Sequence, residues 1–315
     1  MTRQTRRVEV PELDTPQRLD KFLCEALGLF PRTQYERRIV EAFAGRRILK
    51  PGVKLSGGEV LQVSWNDLPE VSFGAEDIPL DILYEDETVL VVNKPRGMVV
   101  HPAQGNWTGT LVQALLFHVK DLEDQFDEHE ARPGIVHRLD KDTTGVLVTA
   151  KTPGALESLS AQFRDRTTKK VYYAILKGEL RQAEGILDTN VGRDLHHRQR
   201  FTVTGPEQGK QAVTRWRVLA KVRGYTLVEF CPQTGRTHQL RVHALHLQCP
   251  ILGDPVYTRT DSRMPQAPLM LHAASLELRL PGSSVPQIFR AEIPEDFRTV
   301  LTSLSLPLPP IAAPD

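Results

Sequence analysis

One stretch concentrates side chains that could do chemistry: Gly134-Ile135-Val136-His137-Arg138-Leu139-Asp140-Lys141-Asp142-Thr143-Thr144-Gly145. Two carboxylates lie among cations here, a composition suited to acid–base or nucleophilic work. The same composition suits a salt-bridged turn, with Asp142, Thr143 and Thr144 bonding the backbone. Asp140 and Asp142 are two residues apart, so spacing does not choose between them. The apolar flanks Ile135-Val136 and Val146-Leu147-Val148 place the charges on a loop between two buried strands. A scaffold of that kind can hold a carboxylate rigidly.

Three histidines, His238, His243 and His246, form the other cluster of potentially reactive groups. A helix would put His243 and His246 on one face. Cys249 follows, but Pro250 ends the helix before it can join them. No metal site and no cofactor are expected. The run Arg193-Asp194-Leu195-His196-His197-Arg198-Gln199-Arg200 is basic and reads as a loop between strands, suited to contacting a polyanion.

The elements that must position these groups follow from periodicity and propensity. Val89–Asn93, Gly145–Ala150, Val171–Lys177, Ala212–Val218 and Tyr225–Phe230 are enriched in β-branched and aromatic residues and are predicted strands. Helices are predicted at Thr110–Val119, Pro153–Arg164 and Thr237–Leu247. Strands and helices interleave without regular βαβ units. The class expected for residues 81–300 is therefore α+β with a mixed, largely antiparallel sheet. Residues 301–315, rich in proline, read as a flexible surface tail. Residues 15–66 form a separate small unit, and 67–80 read as a linker. In the small unit Arg18, Leu19, Phe22, Leu23 and Leu27 recur at near-helical spacing. A second helix is predicted over Thr33–Phe43, carrying Arg37 and Arg38. Beyond it, Lys54-Leu55 leads through Gly57-Gly58 into the strand-like Glu59–Val63.

Composition narrows the function classes. The chain has 315 residues, 40% of them hydrophobic, enough for about two packed domains. No run of about 18 uncharged apolar residues predicts a membrane span. MTRQTRRVEV lacks the apolar stretch of a secretory signal. Cys24, Cys231 and Cys249 are odd in number and far apart, which suits reduced thiols in a cytoplasmic protein. A net charge of +1 argues against bulk electrostatic coating of nucleic acid, but not against a local basic surface such as Arg37 to Lys50.

Longer motifs carry a resemblance. RLDKFL, a basic helix and LSGGEVLQV are similar to the S4-like RNA-binding module, a small α/β fold. Pro31-Arg32-Thr33 and Ile48-Leu49-Lys50-Pro51-Gly52 depart from its usual Ser-Arg pair and Val-x-Val-Asn-Gly turn. GIVHRLDKDTTGVLVTAK resembles the catalytic signature of the RluA-type pseudouridine synthases. Four further segments resemble that family in order: Val91–Met98 with His101-Pro102, Gly109–Val112, Lys170–Ala174 and Thr234–His243. Together they span nearly all of residues 81–290. Thr144 and Leu240 stand where Ser and Ile are commoner.

The resemblance assigns roles. Asp140, the last residue of HRLD, is the implied catalytic carboxylate, with Tyr172 and Arg236 as its implied partners. Pseudouridylation breaks the N1–C1′ bond of uridine, turns the base and joins C5 to C1′. It needs no redox change, energy input or metal. A stacked base must first be flipped out. Arg138 is the implied residue that fills the vacated space, since a guanidinium can stack on bases and bond phosphate. The alternative is that Arg138 merely neutralises nearby carboxylates. An ionised carboxylate could then attack C1′, take the C2′ proton or add to C6. Arg236 is the implied ion-pair partner that keeps it ionised. Tyr172 is the implied platform for the turned uracil, with a hydroxyl that could assist removal of the C5 proton. Tyr173 would point to the opposite face of the strand. His137, Thr144, Leu240, Arg37 and Arg38 complete the implied substrate-binding set.

The expected partner is RNA: ribosomal RNA of the large subunit, with transfer RNA as the alternative. The protein is expected to be a monomer without membrane attachment. A noncatalytic RNA-binding or ribosome-assembly protein is the competing class, disfavoured because Asp140, Tyr172 and Arg236 are all present. A hydrolase lacks its Gly-x-Ser-x-Gly elbow.

Overall fold

The computed structural model describes residues 3–29, 40–66, 74–102, 105–120, 122–126, 133–197 and 199–312. The chain forms two compact units, Met1–Ser72 and Phe73–Asp315.

In the first unit, β1 (Arg3–Glu9), β2 (Gln17–Arg18), the short helix α1 (Leu19–Lys21), β3 (Glu41–Ala44), β4 (Arg47–Leu49), β5 (Lys54–Leu55) and β6 (Val60–Asn66) follow in order. A π turn over Phe22–Ala26 continues α1. Strands β1, β6, β3 and β4 make an antiparallel sheet in that spatial order, and β2 pairs with β5. Val8, Leu19, Phe22, Leu23, Leu61 and Val63 fill the core between helix and sheet. The unit therefore begins at β1, well before residue 15. Arg37, Arg38 and most of the predicted second helix lie outside the described residues. Its last part, Glu41–Phe43, is strand rather than helix. Ala42 is buried in the core, and Gly45, at φ 59°, turns the chain into β4. Tertiary pairing outweighs the weak local helical preference of Glu-Ala.

The second unit contains β7 (Ile82–Glu85), β8 (Val89–Lys94), α2 (Leu111–His118), α3 (Leu122–Gln125), β9 (Thr144–Ala150), α4 (Pro153–Arg164), β10 (Lys169–Lys177), β11 (Glu184–Arg193), β12 (Phe201–Thr204), β13 (Lys210–Val222), β14 (Tyr225–Pro232), α5 (Gln239–His246), β15 (Leu271–Arg279), β16 (Pro286–Arg290) and α6 (Glu295–Leu304). Ten strands form one sheet in the order β12-β11-β13-β14-β10-β15-β9-β8-β7, with β16 also on β15. All pairs are antiparallel except β9 with β15. The mixed, largely antiparallel class expected from the sequence is the class observed.

Burial on both faces explains the continuous apolar runs of β8 and β9. Val89, Val91, Val146 and Val148 face a core closed by Ala155 and Leu159 of α4. Leu90, Val92 and Leu147 face the opposite core, closed by Leu111 and Leu115 of α2. Both helices start on threonine caps. Thr110 forms a reciprocal capping box with Gln113, and Thr152 accepts from the Ala155 N–H ahead of Pro153.

Two segments differ from the sequence-based expectation. Ile78 and Leu80, in the predicted linker, pack on the α2 core, and Glu76 accepts from Gly109 N and Gln113. The predicted loose tail is likewise packed as far as Ala312. Residues up to Leu304 continue α6, and Leu306 and Ala312 are buried. The Tyr173 hydroxyl donates to the Pro310 carbonyl at 2.8 Å, and Arg290 donates to the Ala312 carbonyl. Proline lacks a backbone N–H, so an irregular segment can lie against a core without stranding donors there.

Candidate active site

The loop bearing Asp140 runs into β9 and is held from below by the end of β8. Gly145 opens onto the crossing with β15 at φ 112°, where any Cβ would collide with the Ala273 carbonyl. Lys94 is fully buried, and its ammonium donates to the carbonyls of Pro95, Met98 and Lys141 at 2.8–3.0 Å. Burial pushes its pKa down to about 7, against the pull of Asp142 and Asp140. Three carbonyl acceptors suit the three hydrogens of the protonated form. Arg96 donates to the Asp142 carbonyl, and Gly97 N donates to that of Lys141. Thr143 N donates to the Asp140 carbonyl, closing the turn. Asp140 is thus fixed through its own carbonyl and those of the two residues that follow it.

Its side chain meets α5. Arg241 Nη1 donates to Asp140 Oδ2 at 3.1 Å. The same guanidinium donates from Nε and Nη2 to both oxygens of Asp254, at 2.7 and 2.8 Å. Asp254 is fully buried and also accepts from Val256 N and Tyr257 N. The guanidinium lies over the Tyr257 ring, 5.1 Å from its centre. Burial works against its charge, but Asp254 and Asp140 outweigh it and raise the Arg241 pKa. This bidentate anchor aims one N–H at Asp140. Both contacts made by Asp140 fall on Oδ2: Arg241 and, at 3.9 Å, His238 Nε2. Among the described residues Oδ1 has no partner, and the side chain is 21% exposed.

The ion-pair partner is therefore Arg241 and not Arg236. Arg236 Nε donates to the Gln211 carbonyl near the surface, and its N–H is held by Gln239. Both arginines lie in the same motif, five residues apart. Arg241 lies on α5, whereas Arg236 precedes that helix. The signal that could have separated them is helical phase. Arg241 shares a buried helix with Leu240, Val242 and His243, and a buried arginine requires a carboxylate. Asp254 and Tyr257 also escaped the sequence reading, which took His238 only as one of a cluster of histidines and not as a neighbour of Asp140.

Tyr172 lies in mid-β10 at a bulge, between Phe230 of β14 and Ala273 of β15. Its ring packs with the cluster containing Leu139, next to Asp140. Burial and then the charge of Asp140 hold its phenol well above the usual range, so the hydroxyl stays protonated. Tyr173 takes the other face, as expected, and anchors the C-terminal segment. Arg138 is exposed and makes no ion pair among the described residues, so nothing there supports the charge-neutralising alternative.

Three implied substrate positions prove to be framework. His137 stacks on Phe163 at 4.4 Å and accepts the Val148 N–H at 3.1 Å. Burial pushes its pKa to about 3, so it is neutral. Side chains alternate across an extended chain, which turns His137 away from its neighbour Arg138. Thr144 is buried against His272 Nδ1 at 2.8 Å, and Leu240 is buried in the central core. Of the histidines, His243 bridges Thr189 and Thr214.

Comparisons with known proteins identify the family. The family model for RNA pseudouridylate synthase matches residues 88–246, which include Asp140, Tyr172 and Arg241. The chain belongs to the RluA-type RNA pseudouridine synthases. A protein of Borreliella burgdorferi named ribosomal large subunit pseudouridine synthase D is 42% identical over 91% of this chain and 89% of its own length. One of the same name from Nitrosomonas europaea is 39% identical over 97% of this chain and 90% of its own. Human RNA pseudouridylate synthase domain containing 4 shares the fold at a TM-score of 0.58 and 30% identity, covering 73% of this chain and 94% of its own. The protein is thus an isomerase acting on RNA. Among the described residues no helix is long and apolar enough to cross a membrane.

Proposed function

We propose that this synthase isomerises uridines of large-subunit ribosomal RNA, with Asp140 as the catalytic carboxylate. The observation that carries the catalytic reading is the division of labour on Asp140. Oδ2 is held by Arg241, while among the described residues Oδ1 has no partner, and the charge of Asp140 is felt by the Tyr172 phenol. An ionised oxygen held in place serves attack on C1′, removal of the C2′ proton or addition to C6. By any of these routes N1–C1′ breaks, C5–C1′ forms, C5 loses a proton and N1 gains one. Atoms and charge balance without a cofactor. Exposed Arg138, two residues from Asp140, enters the space left by the flipped base.

The ribosomal substrate is supported by the names of two relatives that align along almost the whole chain. The first unit, similar to an S4-like module, and the basic β11–β12 loop serve as RNA contacts in this reading, with the protein acting as a cytoplasmic monomer. The test is a pseudouridine map of total RNA from deletion and parent strains, by carbodiimide-stopped primer extension. Signals lost from large-subunit RNA and restored by wild type, but not by Asp140→Asn, are expected. An unchanged ribosomal map with signals lost from transfer RNA would replace the substrate.

A further inference from the structure

Asp140 Oδ2 has a second neighbour whose role the ion pair with Arg241 does not explain. His238 adopts left-handed backbone angles, φ 56° and ψ 19°, immediately before α5. A non-glycine residue pays of order 1 kcal/mol for that conformation, and such strain persists where the surroundings impose it. Here the surroundings are two rings. Phe201 and Tyr257 each meet the imidazole edge-on, with centroids 5.6 Å away. Nδ1 lies 2.9 Å from the Tyr257 hydroxyl.

The hydrogen positions follow from counting donors. The Tyr257 oxygen accepts the Phe201 N–H at 2.8 Å. Among the described residues, the acceptor within reach of its own hydrogen is His238 Nδ1. Burial raises the Tyr257 phenol, so that hydrogen is retained. Burial also lowers the His238 pKa, with Arg241 and Arg138 adding to the effect and Asp140 and Asp254 opposing it. A neutral imidazole whose Nδ1 accepts carries its hydrogen on Nε2. Nε2 is the atom facing Asp140, 3.9 Å from Oδ2, so the carboxylate has to turn toward it to accept its hydrogen.

We propose that His238 is a positioning residue for uridine isomerisation. Set by Tyr257 in its Nε2–H tautomer, it gives Oδ2 of Asp140 a second donor and leaves Oδ1 as the reacting oxygen. The inference rests on Asp140 being the catalytic group. It also gives the base of the β11–β12 hairpin a task, because Phe201 N fixes the direction in which Tyr257 donates. Arg193 and Arg200 of that hairpin lie over the rings of Phe201 and Tyr257.

The test uses the full chain and total RNA from cells lacking the gene, labelled with 5-tritiated uridine. Turnover releases the C5 tritium into water whichever RNA is the substrate. Loss of one oriented hydrogen bond to a charged group predicts a roughly tenfold lower kcat for His238→Asn, which tolerates the left-handed backbone but has no donor at the Nε2 position, with KM within about twofold. Tyr257→Phe keeps the ring under Arg241 and removes only the hydroxyl, with an expected loss of roughly fivefold. The double variant should match His238→Asn, because the two act in one chain. Histidine nitrogen NMR of the wild type should show Nε2–H, and Tyr257→Phe should shift the population toward Nδ1–H. A kcat for His238→Asn within twofold of wild type would overturn the proposal, as would losses that multiply in the double variant or an Nδ1–H tautomer in the wild type. Asp140→Asn is assayed alongside. Turnover in that variant would instead remove the reading on which the proposal rests.

Discussion

Asp140 and Asp261 are both aspartates on turns of the catalytic unit, and their surroundings differ in one respect. Asp261 is saturated: Oδ1 accepts from the Tyr225 hydroxyl and from the N–H groups of Arg263 and Met264, and Oδ2 meets Lys177 at 3.1 Å. Asp140 is held through Oδ2 alone. A carboxylate whose every lone pair is taken by its own fold can only hold a turn. One with a fixed oxygen and an open one can act on a substrate. The difference lies in where the donors point, and charge density does not reveal it.

The comparison is broken most severely at Asp140 itself. Asp140→Asn keeps the shape and the Arg241 contact but removes the negative charge. Turnover measured by tritium release should fall by about 10³-fold or more, as for loss of a catalytic group in other enzymes. The melting temperature should stay within about 2 °C, because no buried partner is stranded. An Asp140→Asn enzyme within tenfold of wild type would make Asp140 equivalent to Asp261.

Arg241→Lys comes next. Lysine cannot bond both oxygens of Asp254 and also reach Asp140. Activity should drop by about 10²-fold, and the buried Asp254 charge, partly uncompensated, should cost about 3 kcal/mol in denaturant unfolding. Arg236→Lys is the control. Among the described residues its guanidinium bonds only the Gln211 carbonyl, so turnover should stay within about threefold. Equal losses in both would return Arg236 to the catalytic set.

That pair shows what the sequence could and could not convey. Runs such as Val89–Asn93 and Gly145–Ala150 announced central strands because burial on two faces demands unbroken apolar residues. The HRLD motif separated Asp140 from Asp142, which spacing did not. Strands β11, β15 and β16 were missed: polar and apolar residues mix in β11 and β16, and β11 and β15 are fixed by pairing with β13 and β10, distant in the chain, while β16 follows from β15. Arg236 and Arg241 stand in one motif, and only the placement of α5 against Asp254 sorts them. The tail was misread because its prolines suggest a loose segment, whereas Leu306 and Ala312 are anchors visible only in three dimensions.

Asp261 sharpens the comparison from the structural side. Burial raises its pKa, but Tyr225, Lys177 and two backbone N–H groups outweigh this and hold it at about 2, against 3.8 ordinarily. A carboxylate lowered in the folded state stabilises the fold above its unfolded pKa. That stability, of order 2 kcal/mol, is lost as pH falls from about 4 to about 2. Asp261→Asn should lose a similar amount at neutral pH and flatten the acid limb of the unfolding curve, with turnover unchanged. A wild-type acid limb in the variant would assign it to another group.

The smallest effect tests the same division on adjacent tyrosines. Tyr173→Phe removes one hydroxyl that donates to the Pro310 carbonyl at 2.8 Å on the face away from Asp140. One buried neutral hydrogen bond is worth about 1 kcal/mol, which should appear as a lower unfolding midpoint. The C-terminal segment should also become more open to proteolysis, with kcat unaltered. Tyr172→Phe should do the reverse. Its ring still packs beside Leu139, so stability holds, while a hydroxyl raised by burial and by Asp140 is lost from the substrate side. If Tyr173→Phe slowed turnover instead, the C-terminal anchor would have to be part of the site, and the two faces of β10 could not be treated as independent.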